Sequence, residues 1–266
     1  MLFIVATPIG NLEDITLRAL RILKECDEIF CEDTRVSQKL LSHYGIHKPL
    51  FTYHEHNAAT VRPKILEKLV CGKKIALISD AGTPLISDPG FKLVRSCQQQ
   101  GLGYTFIPGP SSVIGGLVLS AMPTDQFTFC GFADPKKFET LQAIPTTLIF
   151  FESAQRLEKT LMLMRDFFKG RTVSVVREIT KTFEQVVSGT FDETIQYFQN
   201  TTPRGEIVLV LSPSSQQADK EQVRKALTQA LKTMSIKDAS YLVAKTYGLN
   251  KKQVYEMALK EKETLP

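Results

Sequence analysis

Five short apolar runs rich in β-branched and aromatic residues punctuate the first half of the chain, at 2–6, 28–32, 50–53, 75–79 and 104–107. Each is followed by Gly, Pro or Asp and then a helix-like stretch. Parallel strands need long crossover connections, usually helices, so this alternation predicts a largely parallel α/β sheet covered by helices. The first helix is expected to open at Asp14-Ile15-Thr16-Leu17 with an N-cap and an apolar stripe through Ala19, Ile22 and Leu23. After Met122-Pro123 the rhythm changes. Strands are expected at 127–132, 147–151, 172–177, 183–189 and 205–211, with a helix over 154–168 and an antiparallel hairpin turning at 178–182. Ser212-Pro213-Ser214-Ser215-Gln216-Gln217 reads as a polar linker. Three short helices follow at 219–233, 235–247 and 250–261, with Ser235 and Asn250 as caps and Gly248 as a stop. The expected organisation is one α/β domain over 1–122, a second over 123–212 and a helical segment over 213–266.

A chain of 266 residues with 43% hydrophobic and 23% charged residues has the balance of a folded globular protein, which excludes disordered, collagenous and coiled-coil classes. Its net charge of +5 is too mild to name a nucleic-acid partner by itself. The placement says more. Ten Lys and Arg against six Asp and Glu put +4 of that charge in residues 216–266, leaving the preceding chain nearly neutral. The five cysteines are scattered and form no Cys-x-x-Cys pair, so reduced, mostly buried thiols are expected rather than disulfides or a zinc ribbon. No basic stretch precedes the first apolar run, and the uncharged run 101–124 is broken by Pro108, Pro110 and glycines. These features predict a cytoplasmic protein with neither signal peptide nor membrane span.

Common site motifs are missing. No Gly-x-Gly-x-x-Gly follows the first run, and Gly72-Lys73-Lys74 lacks the rest of a phosphate-binding P-loop. Gly109-Pro110-Ser111-Ser112-Val113 ends in Val where a serine-nucleophile elbow has Gly. His54-Glu55-His56 reads as a polar substrate-facing or structural loop, and no metal is expected. Four loops remain, 7–12, 32–35, 79–84 and 108–112. In an open α/β sheet the ligand crevice lies at the carboxyl ends of the strands, where these loops fall. Their glycines let main-chain groups approach a ligand closely, so together they describe a cleft whose contacts come largely from backbone.

The stretch Ala6-Thr7-Pro8-Ile9-Gly10-Asn11-Leu12-Glu13-Asp14-Ile15-Thr16-Leu17-Arg18-Ala19-Leu20 is followed by Glu32-Asp33-Thr34-Arg35 and Tyr53-His54-Glu55-His56-Asn57. With Ser79-Asp80-Ala81-Gly82-Thr83-Pro84-Leu85-Ile86-Ser87-Asp88-Pro89-Gly90, this set resembles the bacterial small-subunit rRNA 2'-O-ribose cytidine methyltransferase I (RsmI) family. The resemblance covers about the first 210 residues and, more weakly, the helical tail. It implies a tetrapyrrole-methylase fold, class III among S-adenosyl-L-methionine methyltransferases. That fold is α/β, with two α/β domains, the cofactor cleft between them and a C-terminal helix-turn-helix-like segment. The implied acceptor is a cytidine 2'-hydroxyl in the decoding region of 16S rRNA. The expected partners are therefore 16S rRNA or the small ribosomal subunit and a second copy of the chain, with no membrane and no DNA.

Carried onto this sequence, the resemblance implies that Pro8, Gly10, Asp80, Gly82, Thr83, Pro84, Ile86, Ser111, Ser112, Phe151, Glu152 and Ile207 bind the cofactor. A ribose hydroxyl is a weak nucleophile and needs a positioned proton acceptor. The acids in or beside the motif segments are Asp33, Asp80, Glu152 and Glu178, with Arg35 placed to orient such a carboxylate, and the choice among them stays open. Arg35, His54, Arg156, Arg177, Lys181, Lys251 and Lys252 are the expected RNA contacts. In the tail Ala239, Leu242, Val243, Val254, Tyr255 and Ala258 are expected to form a small core. The chain also departs from the family pattern. Phe150-Phe151-Glu152-Ser153-Ala154-Gln155-Arg156 lacks a usual His, Val36 and Gln38 stand where His and a basic residue are usual, and 133–138 reads as a short loop with two lysines. These changes thin the expected RNA footprint and leave the cofactor loops intact. Two competing readings are a class III methylase acting on a small molecule or tetrapyrrole and a non-catalytic RNA-binding assembly protein.

Overall fold

Every apolar run of the first half becomes a strand in the computed structural model, which describes residues 1–201, 203–214, 220–247, 249 and 251–264. Strands β1 (Leu2–Val5), β2 (Glu28–Cys31), β3 (Leu50–Thr52), β4 (Ile75–Ile78) and β5 (Tyr104–Ile107) form one sheet in the order β3-β2-β4-β1-β5, with every pairing parallel. Helices α1 (Leu17–Glu25), α2 (Thr34–His43), α3 (Ala58–Val70), α4 (Phe91–Gln99) and α5 (Ser112–Leu119) make the crossovers and continue from β5. Burial on both faces explains why β1, β2 and β4 read as nearly unbroken apolar runs. Alternate residues of β1 and β4 go to opposite cores: Leu2, Ile4, Ile75 and Leu77 pack with α3 and α4, while Val5, Ala76 and Ile78 pack with α1 and α2. The stripe Ala19, Ile22 and Leu23 is the buried face of α1. Its cap is Thr16, whose hydroxyl accepts the Ala19 N–H at 3.1 Å, and Leu12–Asp14 form a separate 3-10 turn.

The second sheet orders β6 (Phe127–Phe132), β7 (Thr147–Ser153), β10 (Glu206–Leu211), β8 (Val173–Arg177) and β9 (Gln185–Gly189), and only the β6/β7 pair is parallel. The β8/β9 hairpin forms as expected. Helices α6 (Pro135–Leu141), α7 (Leu157–Phe167) and α8 (Phe191–Asn200) complete this half. The stretch read as a loop at 133–138 is instead mostly α6. Asp134 caps it by accepting the Lys136 N–H at 3.1 Å, Pro135 sits where a helix tolerates proline, and Phe138 is fully buried. The start of α8 is a capping box between Thr190 and Glu193. α5 belongs to both halves: Val113 and Leu117 pack with Ile149, Val176, Val208 and Val210 of the second sheet. The approach is close enough that a Cβ on Gly116 would stand 2.6 Å from Val208 Cγ1.

The chain separates into two compact units, Met1–Pro213, which holds both sheets, and Ser214–Pro266. Within the second unit α9 (Lys220–Leu231), α10 (Ile236–Tyr247) and α11 (Lys251–Thr264) bury Val223, Leu227, Val243, Ala244, Val254 and Ala258. Ser235 caps α10 by accepting the Asp238 N–H at 3.2 Å. Leu242 and Tyr255, expected in this core, are 44% and 40% exposed, because the buried positions 239, 243 and 244 turn Leu242 off the packed face. The expected stop at Gly248, cap at Asn250, helix start at Asp219 and linker residues Ser215-Gln216-Gln217 lie outside the described residues. All five cysteines are free thiols. No helix among the described residues is long and apolar enough to cross a membrane.

One buried cation holds the end of the second sheet. Arg171 is 4% exposed and has no carboxylate partner among the described residues. Its guanidinium donates to the carbonyls of Thr146 at 2.8 Å, Ser212 at 2.7 Å and Ile144, tying the loop before β7 to the end of β10. Burial pushes its pKa down to about 10. Replacing Arg171 by Met leaves three carbonyls without a donor and is expected to lower stability by on the order of 3 kcal/mol, read as a lower urea midpoint at unchanged m-value.

Candidate active site

The cleft opens at the carboxyl ends of the parallel strands. It encloses about 550 Å³, a size typical of small-molecule sites. One wall is the β4–α4 loop and the start of α5; the other comes from the second sheet through Phe132, Phe151, Ile179 and Ile207. Of the twelve residues expected at a cofactor, Asp80, Gly82, Thr83, Ile86, Ser111, Ser112, Phe151, Glu152 and Ile207 line it. Pro8, Gly10 and Pro84 do not. The first loop reaches the cleft through Ile9 and supports its wall: Thr7 and Gly82 exchange two backbone hydrogen bonds of 2.8 and 3.0 Å, and Gly82 takes φ +80°, which suits glycine. Ser111 precedes α5 without capping it through its side chain, so the first N–H groups of α5 point toward the cleft unclaimed by that hydroxyl. Leu85 and Ser87, at φ 74° and 66°, hold a left-handed backbone on either side of Ile86, the kind of local strain that recurs at ligand sites.

Gly10 has a different role. A Cβ there would meet Lys181 Cγ at 2.5 Å, the Ile179 carbonyl at 2.9 Å and Thr180 Oγ1 at 2.9 Å. The neighbouring Asn11 N–H donates to Thr180 Oγ1 at 3.0 Å. Gly10 thus admits the β8–β9 turn of the second sheet against the first loop, and that turn carries Ile179 into the cleft wall.

The charged candidates separate by environment. Asp33 is spent on Arg35: the guanidinium donates to its carboxylate at 2.6 Å, and the Arg35 N–H at 2.8 Å makes it the cap of α2. These bonds hold its pKa near 2, so Asp33 is a poor proton acceptor, and neither it nor Arg35 lines the cleft. Glu152 lines the cleft, but its carboxylate is fully buried. It accepts from Ser153 N–H at 2.7 Å, Thr160 Oγ1 at 2.5 Å and Arg156 at 2.7 Å, which occupies both oxygens. Glu178 lies outside the cleft wall. Burial pushes its carboxyl up, but the Lys181 ammonium at 3.0 Å and the Glu206 N–H at 3.1 Å outweigh that and hold it below the usual range.

Five acids line the cleft; Glu152 and Glu206 pair with Arg156 and Lys181, while Glu32, Asp80 and Asp88 make no ion pair among the described residues. Burial raises all three. Asp88 reaches about 6, with Glu32 and Asp80 adding repulsion and the Ser79 hydroxyl opposing it. Asp80 is raised by burial against the pull of the Asp33 N–H, which it accepts at 3.0 Å. Glu32 is raised by burial and by Asp80, against the pull of His54. Sequence reasoning singled out only Asp80 of the three. Asp88 sits inside the 79–90 motif, and its signal was Gly90, which takes φ +136° and where a Cβ would meet the Leu85 and Leu77 side chains.

The expected RNA cations are mostly engaged. Arg177 donates to Gln185 at 2.7 Å and to the Arg204 carbonyl at 3.0 Å, and Lys181 bridges Glu178 and Glu206. His54 lies outside the cleft wall with Nδ1 buried and unpartnered. Lys251 and Lys252 are exposed on α11 in the second unit, where the Lys251 ammonium stands 5.2 Å from the Tyr241 ring centre. Among the described residues no group of three His, Cys, Asp or Glu is placed to hold a metal ion.

Two substitutions test this geometry. Gly10→Ala forces the β8–β9 turn away and is expected to cost about 1–3 kcal/mol in chemical denaturation. Asp88 binds its proton more tightly folded than unfolded, so its ionisation destabilises the fold as pH rises from about 4 to about 6. Asp88→Asn is therefore expected to stabilise the protein at pH 8 by on the order of 1 kcal/mol after solvent screening, a gain that vanishes below pH 4.

A model of the tetrapyrrole (corrin/porphyrin) methylases matches residues 1–195, and one of the RsmI C-terminal HTH domain matches residues 217–262. Ribosomal RNA small subunit methyltransferase I of Mesorhizobium japonicum is 43% identical over 99% of this chain and 92% of its own length. The protein of that name from Rickettsia prowazekii is 42% identical over 99% and 98%. Among solved structures, diphthine synthase superposes with a TM-score of 0.63 at 12% identity, over 79% of this chain and 89% of that one. Cobalt precorrin-4 methyltransferase gives 0.60 at 17% identity, over 79% and 94%. Identities this low speak for the fold. With a cleft assembled from backbone turns in a methylase fold, and full-length relatives above 40% identity, the chain belongs to the ribosomal RNA small subunit methyltransferase I family.

Proposed function

We propose that this chain methylates the ribose 2'-oxygen of a cytidine in the decoding region of 16S rRNA, using S-adenosyl-L-methionine. The observation that carries this reading is a cleft of small-molecule size, walled by main-chain turns and holding a half-buried carboxyl, in a chain similar over its full length to small-subunit rRNA methyltransferases. The residues present fit the cofactor. Thr83 and the start of α5 offer backbone donors for a carboxylate, and Ile86, Phe151 and Ile207 offer apolar surface for a ring. The cofactor supplies a methyl group on a sulfonium, open to in-line displacement. The protein's part is to place the ribose oxygen in line and receive its proton.

Asp88 is the acid best suited to that task. At pH 7 a carboxyl with a pKa near 6 is largely ionised, yet it is more basic than Asp33, which Arg35 pins near 2. Turnover is expected to fall as pH drops through about 6. Asp88→Asn should lower kcat by about 10²-fold or more while calorimetric titration shows cofactor affinity within a few-fold of wild type.

In the second unit, the exposed Lys251 and Lys252 are suited to rRNA phosphates. Removing residues 214–266 is expected to weaken rRNA methylation more than cofactor binding; equal loss of both would make the unit structural. A second copy of the chain is the proposed occupant of an apolar surface on the first unit. There Tyr104 and Phe106 of the edge strand β5 and Ile114 and Val118 of α5 are between 39% and 67% exposed. Mapping ribose methylation of 16S rRNA in a strain lacking this gene tests the whole reading. Loss of a 2'-O-methylcytidine in the decoding region is the expected result, and an unchanged profile contradicts it.

A further inference from the structure

β6 is the outer strand of the second sheet, and its pairing with β7 breaks before its end. Phe127, Thr128 and Phe129 pair in register with Thr147, Leu148 and Ile149; the register then slips, and Phe132 pairs with Phe151. Gly131 takes φ +74° within the slip, with nothing within 4 Å of where a Cβ would stand. Glycine is therefore needed there for the backbone turn and not for space. Such bulges re-aim the side chain that follows. Here the redirected side chain is Phe132, which lines the cleft and is 56% exposed. It is also braced. Its ring meets Phe151 edge-on, with centroids 5.6 Å apart and planes at 67°, and Phe151 packs in turn against Phe129 at 4.8 Å. Just beyond it, Lys136 and Lys137 are exposed at the start of α6 and make no ion pair among the described residues.

We propose that Phe132 is the platform on which the base of the acceptor nucleotide stacks, with Lys136 and Lys137 taking the phosphates beside it. The inference rests on the RNA reading above. A ribose hydroxyl enters a cleft of this size only if its nucleotide is drawn out of its neighbours' stack, and a splayed base is held by an aromatic face. Phe132 offers that face at the solvent edge, where a polymer reaches it. Phe151, deeper in the cleft, is only partly exposed. The adjoining ammonium groups suit a polyanion, whereas a small zwitterionic cofactor is served by the backbone turns of the opposite wall.

The test uses the full chain with a ten-nucleotide single-stranded RNA carrying a central cytidine, read by fluorescence anisotropy, and S-adenosyl-L-methionine, read by calorimetry. Phe132→Ala and Phe132→Leu should each weaken RNA binding by about 5- to 150-fold, the equivalent of roughly 1–3 kcal/mol for one base stacked on an aromatic ring. Cofactor affinity should be unchanged, and Phe132→Trp should restore RNA binding. Because Leu keeps the apolar volume and loses only the aromatic face, RNA affinity kept by Phe132→Leu overturns the proposal. A parallel loss of cofactor affinity also overturns it, by assigning the ring to the cofactor's adenine. RNA binding by the wild type that Phe132→Ala leaves intact defeats this inference alone. Failure of the wild type to bind the RNA defeats the reading beneath it as well.

Discussion

The cleft exists because the β8–β9 turn rests on the first loop at Gly10. Asn11 donates to Thr180 across that contact, Gly10 leaves room for the Ile179 carbonyl and the stem of Lys181, and Glu178 braces the turn through Lys181 and the Glu206 N–H. Two of the turn's residues, Glu178 and Thr180, hold positive φ without being glycine. Such conformations persist only where the surroundings over-determine them. The same turn brings Ile179 to the cleft wall, and α5 adds a second contact through Gly116 against Val208. Two sheets of different topology are thereby held with a fixed gap between them. The loops of the parallel sheet and the bulged strand of the mixed sheet face each other across it.

Electrostatics then divides the labour among carboxylates of similar chemistry. Those with a cation or several donors at hand, Asp33, Glu152 and Glu178, are fixed as caps and braces. Those in the cleft without a cation, Glu32, Asp80 and Asp88, have their charged forms disfavoured by burial and by neighbouring carboxylates. A proton acceptor near neutrality needs such an environment, and the fold tolerates its destabilising effect. The near-neutral charge of the first 215 residues fits this arrangement, because the cleft is walled by backbone turns with a few acids that make no ion pair among the described residues.

The parallel sheet was legible because strands buried on both faces leave continuous apolar runs, and the turn motifs marked which loops meet at their ends. α6 was not, because Pro135, Lys136 and Lys137 resemble a loop and a single side chain, Phe138, anchors it to the core. Gly10 reads identically whether it faces a ligand or another segment of chain. Only the structure shows that it faces Lys181. Asp33 and Asp88 look equally available along the sequence. What separates them is a guanidinium two residues from one and burial beside Glu32 and Asp80 at the other, and the second of these arises only in three dimensions. In the tail the helices were legible from the Ser235 cap and the apolar spacing, while the exposure of Leu242 and Tyr255 depended on which face met α9.

The proposed reaction is a methyl transfer to a ribose oxygen. Its most direct measurement is to incubate the purified protein with unmodified small ribosomal subunits and methyl-labelled S-adenosyl-L-methionine, digest the rRNA to nucleosides and separate them. Label is expected in 2'-O-methylcytidine alone. Label in a base-methylated nucleoside, or unlabelled rRNA from a protein that binds the cofactor, would contradict it.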